Sequence, residues 1–381
     1  MRAPGFILPP VCRNGEGVIS VGCRAEFCPL NNKLGGSTPK YLGDISVLDW
    51  LIVPNVGHGL CASLVSHPFD VLQIDVGAKS PERAWHAFSA LPRPQTLVIS
   101  HFHWDHYSGL FAAPPGRVLS LRRVYFPRLP DFPERPQLAR ALWATFARAL
   151  GGRTGLPAGD LRNLISNMNS QPWESVPVSA GDFIQSGQRE LEVLWPPRDL
   201  DTVVFRNAVS SALDAVEDAR GEDSLLDELL DEAGERREYN PFEQREAEVR
   251  EPACQDGRSD REKQSLRTAT RVALTRLTAV ANHVCIAAHL PNRFLFLGDL
   301  GEKNLEVLSN DLARRRHRWY SIALSAHHGT HWSEELSTLV PTMVVSSCGG
   351  YLSAKHRWQY SIWGEMLWRT DHHGGLTLPM N

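Results

Sequence analysis

The sequence predicts an α/β protein in which helices cover more than one sheet. Three observations carry this. Apolar runs of four or five residues recur along most of the chain, bounded by Gly, Pro and polar clusters as strands are. Amphipathic stretches at helical spacing separate several of them. Other runs follow one another so closely that only hairpins can join them, so strands with and without helical crossovers are expected together.

Taken in order, residues 1–44 are rich in Gly, Pro, Asn and Cys, lack periodicity and read as an irregular extension. The first half, 45–203, has strand candidates at Leu51–Pro54, Ala62–Val65, Val71–Ile74, Thr96–Ile99, Arg117–Leu121 and Leu191–Leu194. Pro81–Ala90 reads as a helix, with Pro81 near its start and Trp85 and Phe88 on its apolar side. Gln137–Leu150 places Leu138, Leu142, Phe146 and Leu150 on one helical face and arginines on the other. Segment 204–271 breaks the pattern. It is charge-dense, with Leu225, Leu226, Leu229 and Leu230 at the spacing of a short amphipathic helix, and reads as an acidic, partly disordered insertion. The second half, 272–381, resumes with strands at Val284–Ala288 and Arg293–Leu297, a helix at Glu302–Arg315, and strands at Ser321–Leu324 and Thr342–Ser346.

Composition excludes several classes. At 42% hydrophobic and 22% charged, 381 residues can bury a sizeable core. No stretch approaches the roughly 20 apolar residues of a membrane helix, and MRAPGFILPPVC is too short and proline-broken for a signal peptide. Seven cysteines without paired spacing argue against a disulfide scaffold and for a cytoplasmic setting. There is no G-x-S-x-G elbow and no Walker or Rossmann glycine run.

The net charge of −3 hides an asymmetry. Ser211–Gln264 holds 18 acidic and 8 basic residues, which leaves the rest of the chain at +7. Within that remainder Phe111–Asn163 carries nine arginines, Arg122 and Arg123 among them, and Arg314, Arg315 and Arg316 stand just before Trp319 and Tyr320. Such clusters suit a polyanion, so these five arginines are the candidate nucleic-acid contacts. The insertion is either a solvated linker or a tethered anion that competes for the same surface until displaced by a regulatory protein or by a protease at Arg236-Arg237.

The strongest chemical signal is Ser100-His101-Phe102-His103-Trp104-Asp105-His106, directly after the apolar TLVIS. In extended chain His101 and His103 project to one side and can meet one ion, while Asp105 and His106 follow at the turn and can face a second. Imidazole and carboxylate donors suit Zn²⁺, with Mn²⁺ or Fe as alternatives.

This HxHxDH string resembles the signature of the metallo-β-lactamase fold. Asp75 in LQIDVG resembles that family's first motif, Asp299 in FLFLGDLGE its metal-bridging aspartate, and His327-His328-Gly329 its late histidine motif. VGHGLCASLV, HHGTHWS, VVSSCGGYLSAKH and WRTDHHGGLTL, in that order, are similar to the hydrolase domain of ComEC-type DNA-uptake proteins. The resemblance implies an αββα sandwich and two metal ions, zinc or manganese, on His101, His103, Asp105, His106, Asp299, His327 and His328. Asp75 would hold the histidine loop in place. Asp105, Asp299 and His356 would be catalytic, His356 as a general acid or phosphate contact. The implied activity is hydrolysis of a phosphodiester in DNA or RNA by water activated between the ions. The alternative is a small-molecule hydrolase (a cyclic-nucleotide phosphodiesterase, lactonase or thioesterase). One departure stands out: the family's third histidine for the first ion has no counterpart, since no histidine lies between His106 and His283. His58 in its Gly-lined turn, His283 and His289 read as structural, and Cys348 as buried and inert.

Overall fold

Two seven-stranded sheets, each mixed, organise the chain. The structure is a computed structural model and describes residues 49–66, 70–91, 93–128, 161–198, 203–219 and 268–380. The N-terminal extension, the 137–150 helix and the 225–230 helix expected from the sequence lie outside those residues. The first sheet contains β1 (Asp49–Val53), β2 (Cys61–Ser66), β3 (Asp70–Val76), β4 (Thr96–Val98), β5 (Arg123–Pro127), β6 (Glu174–Val178) and β14 (Leu376–Met380). Their spatial order is β14-β1-β2-β3-β4-β5-β6, antiparallel as far as β3 and parallel from β3 to β6. The second contains β7 (Phe183–Ser186), β8 (Arg189–Trp195), β9 (Ala287–Leu290), β10 (Asn292–Phe296), β11 (Trp319–Leu324), β12 (Val340–Ser346) and β13 (Met366–Arg369). Its order repeats the logic: antiparallel from β7 to β10, parallel from β10 to β13.

The alternation of side chains along the strands explains the layering. On β10, Phe294 and Phe296 enter the core between the sheets, while Leu295 enters the core beneath the outer helices. Likewise Val98 faces between the sheets and Leu97 faces outward. Because both faces of these strands are covered, their sequences read as continuous apolar runs. The outer layer on the first sheet is α1 (Pro81–Ser89) and α2 (Trp104–Phe111), with α3 (Leu161–Met168) beside them. Two helices, α4 (Val203–Ala219) and α5 (Thr268–His283), pack on each other. The helix α6 (Glu302–Arg314) covers the second sheet through Leu305, Leu308 and Leu312. This is the αββα sandwich the motifs implied. Among the described residues no helix is long and apolar enough to cross a membrane.

Some boundaries differ from the sequence reading. Arg117–Leu121 is not a strand; Leu119 donates to Met168 and Leu121 to the Asn169 side chain, and pairing with β4 begins only at Arg123. Val284 bonds back to the end of α5, so β9 starts at Ala287. The insertion expected at 204–271 begins and ends in helix, since α4 and α5 flank its undescribed middle.

Candidate metal centre

The parallel strands of both sheets deliver their C-terminal ends to one edge of the sandwich, and the candidate ligands collect there. Asp75 ends β3 with φ 53°, His101 follows β4, Asp299 follows β10, and His327 and His328 follow β11 with φ 45° and 57°. Positive φ is uncommon outside glycine, and its concentration at these three residues marks backbone shaped to aim side chains. Close approach does the rest. A Cβ at Gly77 would run into the backbone of Asp105 and His106, so only glycine lets β3 lie against the start of α2.

Asp75 is fully buried and organises the loop after β4. Its carboxylate accepts the Ser100 amide at 2.7 Å, the Ser100 hydroxyl at 2.6 Å and His106 Nδ1–H at 2.7 Å. With Nδ1 committed to Asp75, His106 turns Nε2 inward, 3.3 Å from Asp299 Oδ2. The His328 Nδ1–H donates to the Ser347 carbonyl at 2.9 Å, which likewise leaves its Nε2 facing in.

Two groups of three donors result, each within 4.8 Å internally: His101, His106 and Asp299, and beside it His58, Asp105 and His328. Each is a pair of imidazoles with one carboxylate, the donor set of catalytic zinc sites that keep a position open for water or substrate. Among the described residues the buried Nε2 atoms of His101, His106 and His328 make no well-formed hydrogen bond, lying 3.3–3.7 Å from the Asp105 and Asp299 carboxylates. Three unsatisfied imidazole nitrogens around two carboxylates are costly in a packed protein and are what a cation would satisfy. The residues therefore fit a pair of divalent ions, with Zn²⁺, Mn²⁺ and Fe²⁺ all compatible with this donor chemistry.

Electrostatics agree. Burial alone would raise Asp105 and Asp299, yet His106 and His328 hold both well below the ordinary carboxylate range. Conversely, burial opposes a charged His106, but Asp299, Asp75 and Asp105 raise it well above the usual imidazole value. The pocket demands positive charge, which a bound cation supplies in place of imidazole protons.

The other expected residues fall into place unevenly. His103 caps α2 with its ring 4.6 Å from His101, but it belongs to neither three-donor group. His327 Nε2 lies 3.7 Å from Asp299 Oδ2. Its ring is held by His331, whose Nδ1–H donates to the Leu300 carbonyl at 3.1 Å and whose Nε2 lies 2.9 Å from His327 Nδ1. Sequence reasoning missed His331, although the HHGTH spacing contains it.

His356 contacts the Ser346 hydroxyl at 3.0 Å and lines the adjacent cleft. Burial and the nearby Arg369 lower its pKa to about 4, so its imidazole is neutral at physiological pH and ill suited to the expected general-acid role. A folded pKa below the unfolded value of 6.5 means the unfolded chain binds more protons between those values. Wild type should accordingly lose stability relative to His356→Asn as pH falls from about 6.5 to about 4, with no further relative change below. Denaturant melts of both proteins across that range check this; a constant difference would contradict it.

The five arginines are not at the centre. Arg122 precedes β5, which starts beside Thr96 at the opposite end of β4 from His101, a separation of roughly 15 Å along the strands. Arg123 is paired with Glu174 at 3.0 Å. Arg314, Arg315 and Arg316 precede β11, again at the far edge, where Arg314 pairs with Asp311 and Arg315 with Glu192 and Asp311. Charge clustering in the sequence carried no information about which sheet edge would receive it. His289 is satisfied by Tyr320 and Glu192, and His283 accepts from Asn304, as structural residues should. Cys348 is buried, with its thiol pushed up to about 11.

The cleft beside the two donor groups has a volume of about 700 Å³. His58, His327 and His331 line it together with Lys355, Arg357 and Trp358, and Arg357 also pairs with Glu302 at 2.9 Å.

No family model and no curated protein matches the chain. Among solved structures, a mutant of the CmlA β-hydroxylase aligns at 11% identity over 90% of this chain and 55% of that one, with a TM-score of 0.36. A β-lactamase domain protein from Burkholderia ambifaria aligns at 17% identity over 38% of this chain and 44% of that one, TM-score 0.21. A protein of unknown function from Enterococcus faecalis aligns at 11% identity over 87% of this chain and 100% of that one, TM-score 0.32. The chain thus spans about half the length of the first two.

Proposed function

We propose that the protein is a metal-dependent phosphodiester hydrolase acting on DNA or RNA. The observation that carries this is the pair of adjacent His₂Asp donor groups, one of which reaches through His58 a cleft that Lys355 and Arg357 also line. Two bound divalent ions would supply Lewis acidity and bring water to a neutral pKa. The chain's own residues provide the rest. Asp75 and the Ser347 carbonyl fix His106 and His328, so the site does not reorganise during reaction. Asp299 lies within 3.3–3.7 Å of His101, His106, His327 and His328, a central position suited to bridging two cations. Neutral His356 can contact a phosphate oxygen through an N–H. The order of the loop motifs, similar to ComEC-type hydrolase domains, supports a nucleic-acid substrate.

The far-edge position of Arg122, Arg123 and Arg314–Arg316 removes them from the reacting phosphate and makes Lys355 and Arg357 the phosphate contacts in our reading. It also keeps the small-molecule hydrolase as a second reading, since two cations lining the cleft serve a small anion equally well. Lys355→Ala with Arg357→Ala should weaken single-stranded DNA binding and flatten its log K against log salt slope by about 1.4, while neutralising the five arginines leaves turnover unchanged. Equal effects of the two variants would return the arginines to the site. Assaying the metal-loaded protein on plasmid, single-stranded DNA, RNA, a generic phosphodiester, a cyclic nucleotide, a lactone and a thioester separates the two readings.

A further inference from the structure

We infer that His58 is a metal ligand, completing the second ion's shell with Asp105 and His328. The inference rests on the two-ion reading above and adds a ligand that the HxHxDH, aspartate and late-histidine motifs do not contain. Its Nε2 lies 3.1 Å from Asp105 Oδ2, and Asp105 Oδ2 lies 3.5 Å from His328 Nε2. The His58 and His328 rings meet edge to face, centroids 5.5 Å apart. A tetrahedral ion with bonds of about 2.0–2.2 Å holds its donors roughly 3.4 Å from one another, close to the 3.1 and 3.5 Å that separate Asp105 from His58 and His328.

The turn that carries His58 is built for this placement. Gly57 and Gly59 have φ 81° and 143°, a conformation that frees residue 58 to point over the pocket. The turn is clamped from three sides: Lys79 N–H donates to the His58 carbonyl at 2.7 Å, Ser347 Oγ to the Gly59 carbonyl at 2.7 Å, and Leu60 N–H to the Asp105 carbonyl at 3.2 Å. A Cβ at Gly349 would strike the His58 backbone, so that glycine too is required by the loop's position. A side chain kept only for a surface ion pair with Asp105 would not need its backbone fixed this way. His58 thus brings an imidazole to the second donor group from a loop far in sequence from Asp105 and His328. It also lines the cleft, so an ion held there would be within reach of a substrate bound in it.

The test is a Co²⁺ titration of the full-length metal-free protein, followed by its visible absorption, with metal content measured after desalting. Wild type should bind two equivalents. His58→Ala should retain one and bind the second at least about 100-fold more weakly, beyond the 10–100-fold that loss of a supporting contact costs. His101→Ala should lose the other equivalent instead, with a different change in the spectrum. His58→Gln, which keeps a polar arm toward Asp105, guards against a folding defect: it should show the same weakened second equivalent with an unchanged circular dichroism spectrum. Two equivalents of wild-type affinity in both His58 variants would overturn the inference, leaving His58 an ion-pair partner of Asp105. A wild type that binds no ion, with His101→Ala equally silent, would overturn the two-ion reading and this inference with it.

Discussion

Replacing Asp299 with Ala should abolish hydrolysis, by about 1000-fold or more, and remove at least one metal equivalent. Its carboxylate Oδ2 is within 3.7 Å of four imidazoles, and no other carboxylate in either donor group reaches all of them. Transition-state charge neutralised by a metal pair is worth several kcal/mol, and each 1.4 kcal/mol is about tenfold in rate. The variant should still fold, because the Asp299 amide bond to Cys285 Sγ at 3.0 Å and the required glycine at 298 are untouched. Elemental analysis beside single-turnover kinetics checks both halves. Unchanged metal content would mean the ligands are misassigned.

Asp75→Ala should be the second severe change, and its effect should appear in stability as well as chemistry. Asp75 and His106 are both fully buried, and the variant leaves Ser100 and His106 without their acceptor. Breaking such a buried pair costs about 3–5 kcal/mol, a large share of a typical domain's stability. Freed from Asp75, the His106 ring can rotate or change tautomer, so metal affinity should fall about 10–100-fold even though Asp75 binds no ion. Asp75→Asn should keep the packing and part of the Ser100 contact while weakening the hold on His106, so it should recover stability before metal affinity. A loss of stability with normal metal affinity in the residual folded protein would assign Asp75 to packing alone.

How much of this was legible in the sequence depended on whether the signal was local. His101, Asp105, His106 and Asp299 stood out because each follows a buried apolar run, and a strand that ends in a metal donor is visible in a few residues. The β10 run FLFL and the β11 run IAL read as strands because both of their faces are buried. His58 gave no such signal. A single histidine between two glycines becomes a candidate ligand only when β2, β3 and the loop at Gly349 bring it to Asp105, and those contacts span up to 288 residues. The arginines illustrate the opposite case: their density was plain, but strand direction, a property of the sheet, decided that they stand at the far edge. Short strands with mixed polarity, such as β7 (FIQS) and β13 (MLWR), are specified by their neighbours' register more than by their own composition.

Everything proposed for this cluster depends on its hydrolysing phosphodiesters through bound metal. That activity is tested most directly by the rate of cleavage of a chromogenic phosphodiester by the full-length protein as purified, after chelation, and after return of Zn²⁺ or Mn²⁺. Cleavage should disappear on chelation, return with about two equivalents of metal, and fail to return in Asp299→Ala. Cleavage indifferent to chelation, or a fully metal-loaded protein that leaves every phosphodiester intact while opening a lactone or thioester, would contradict that reading.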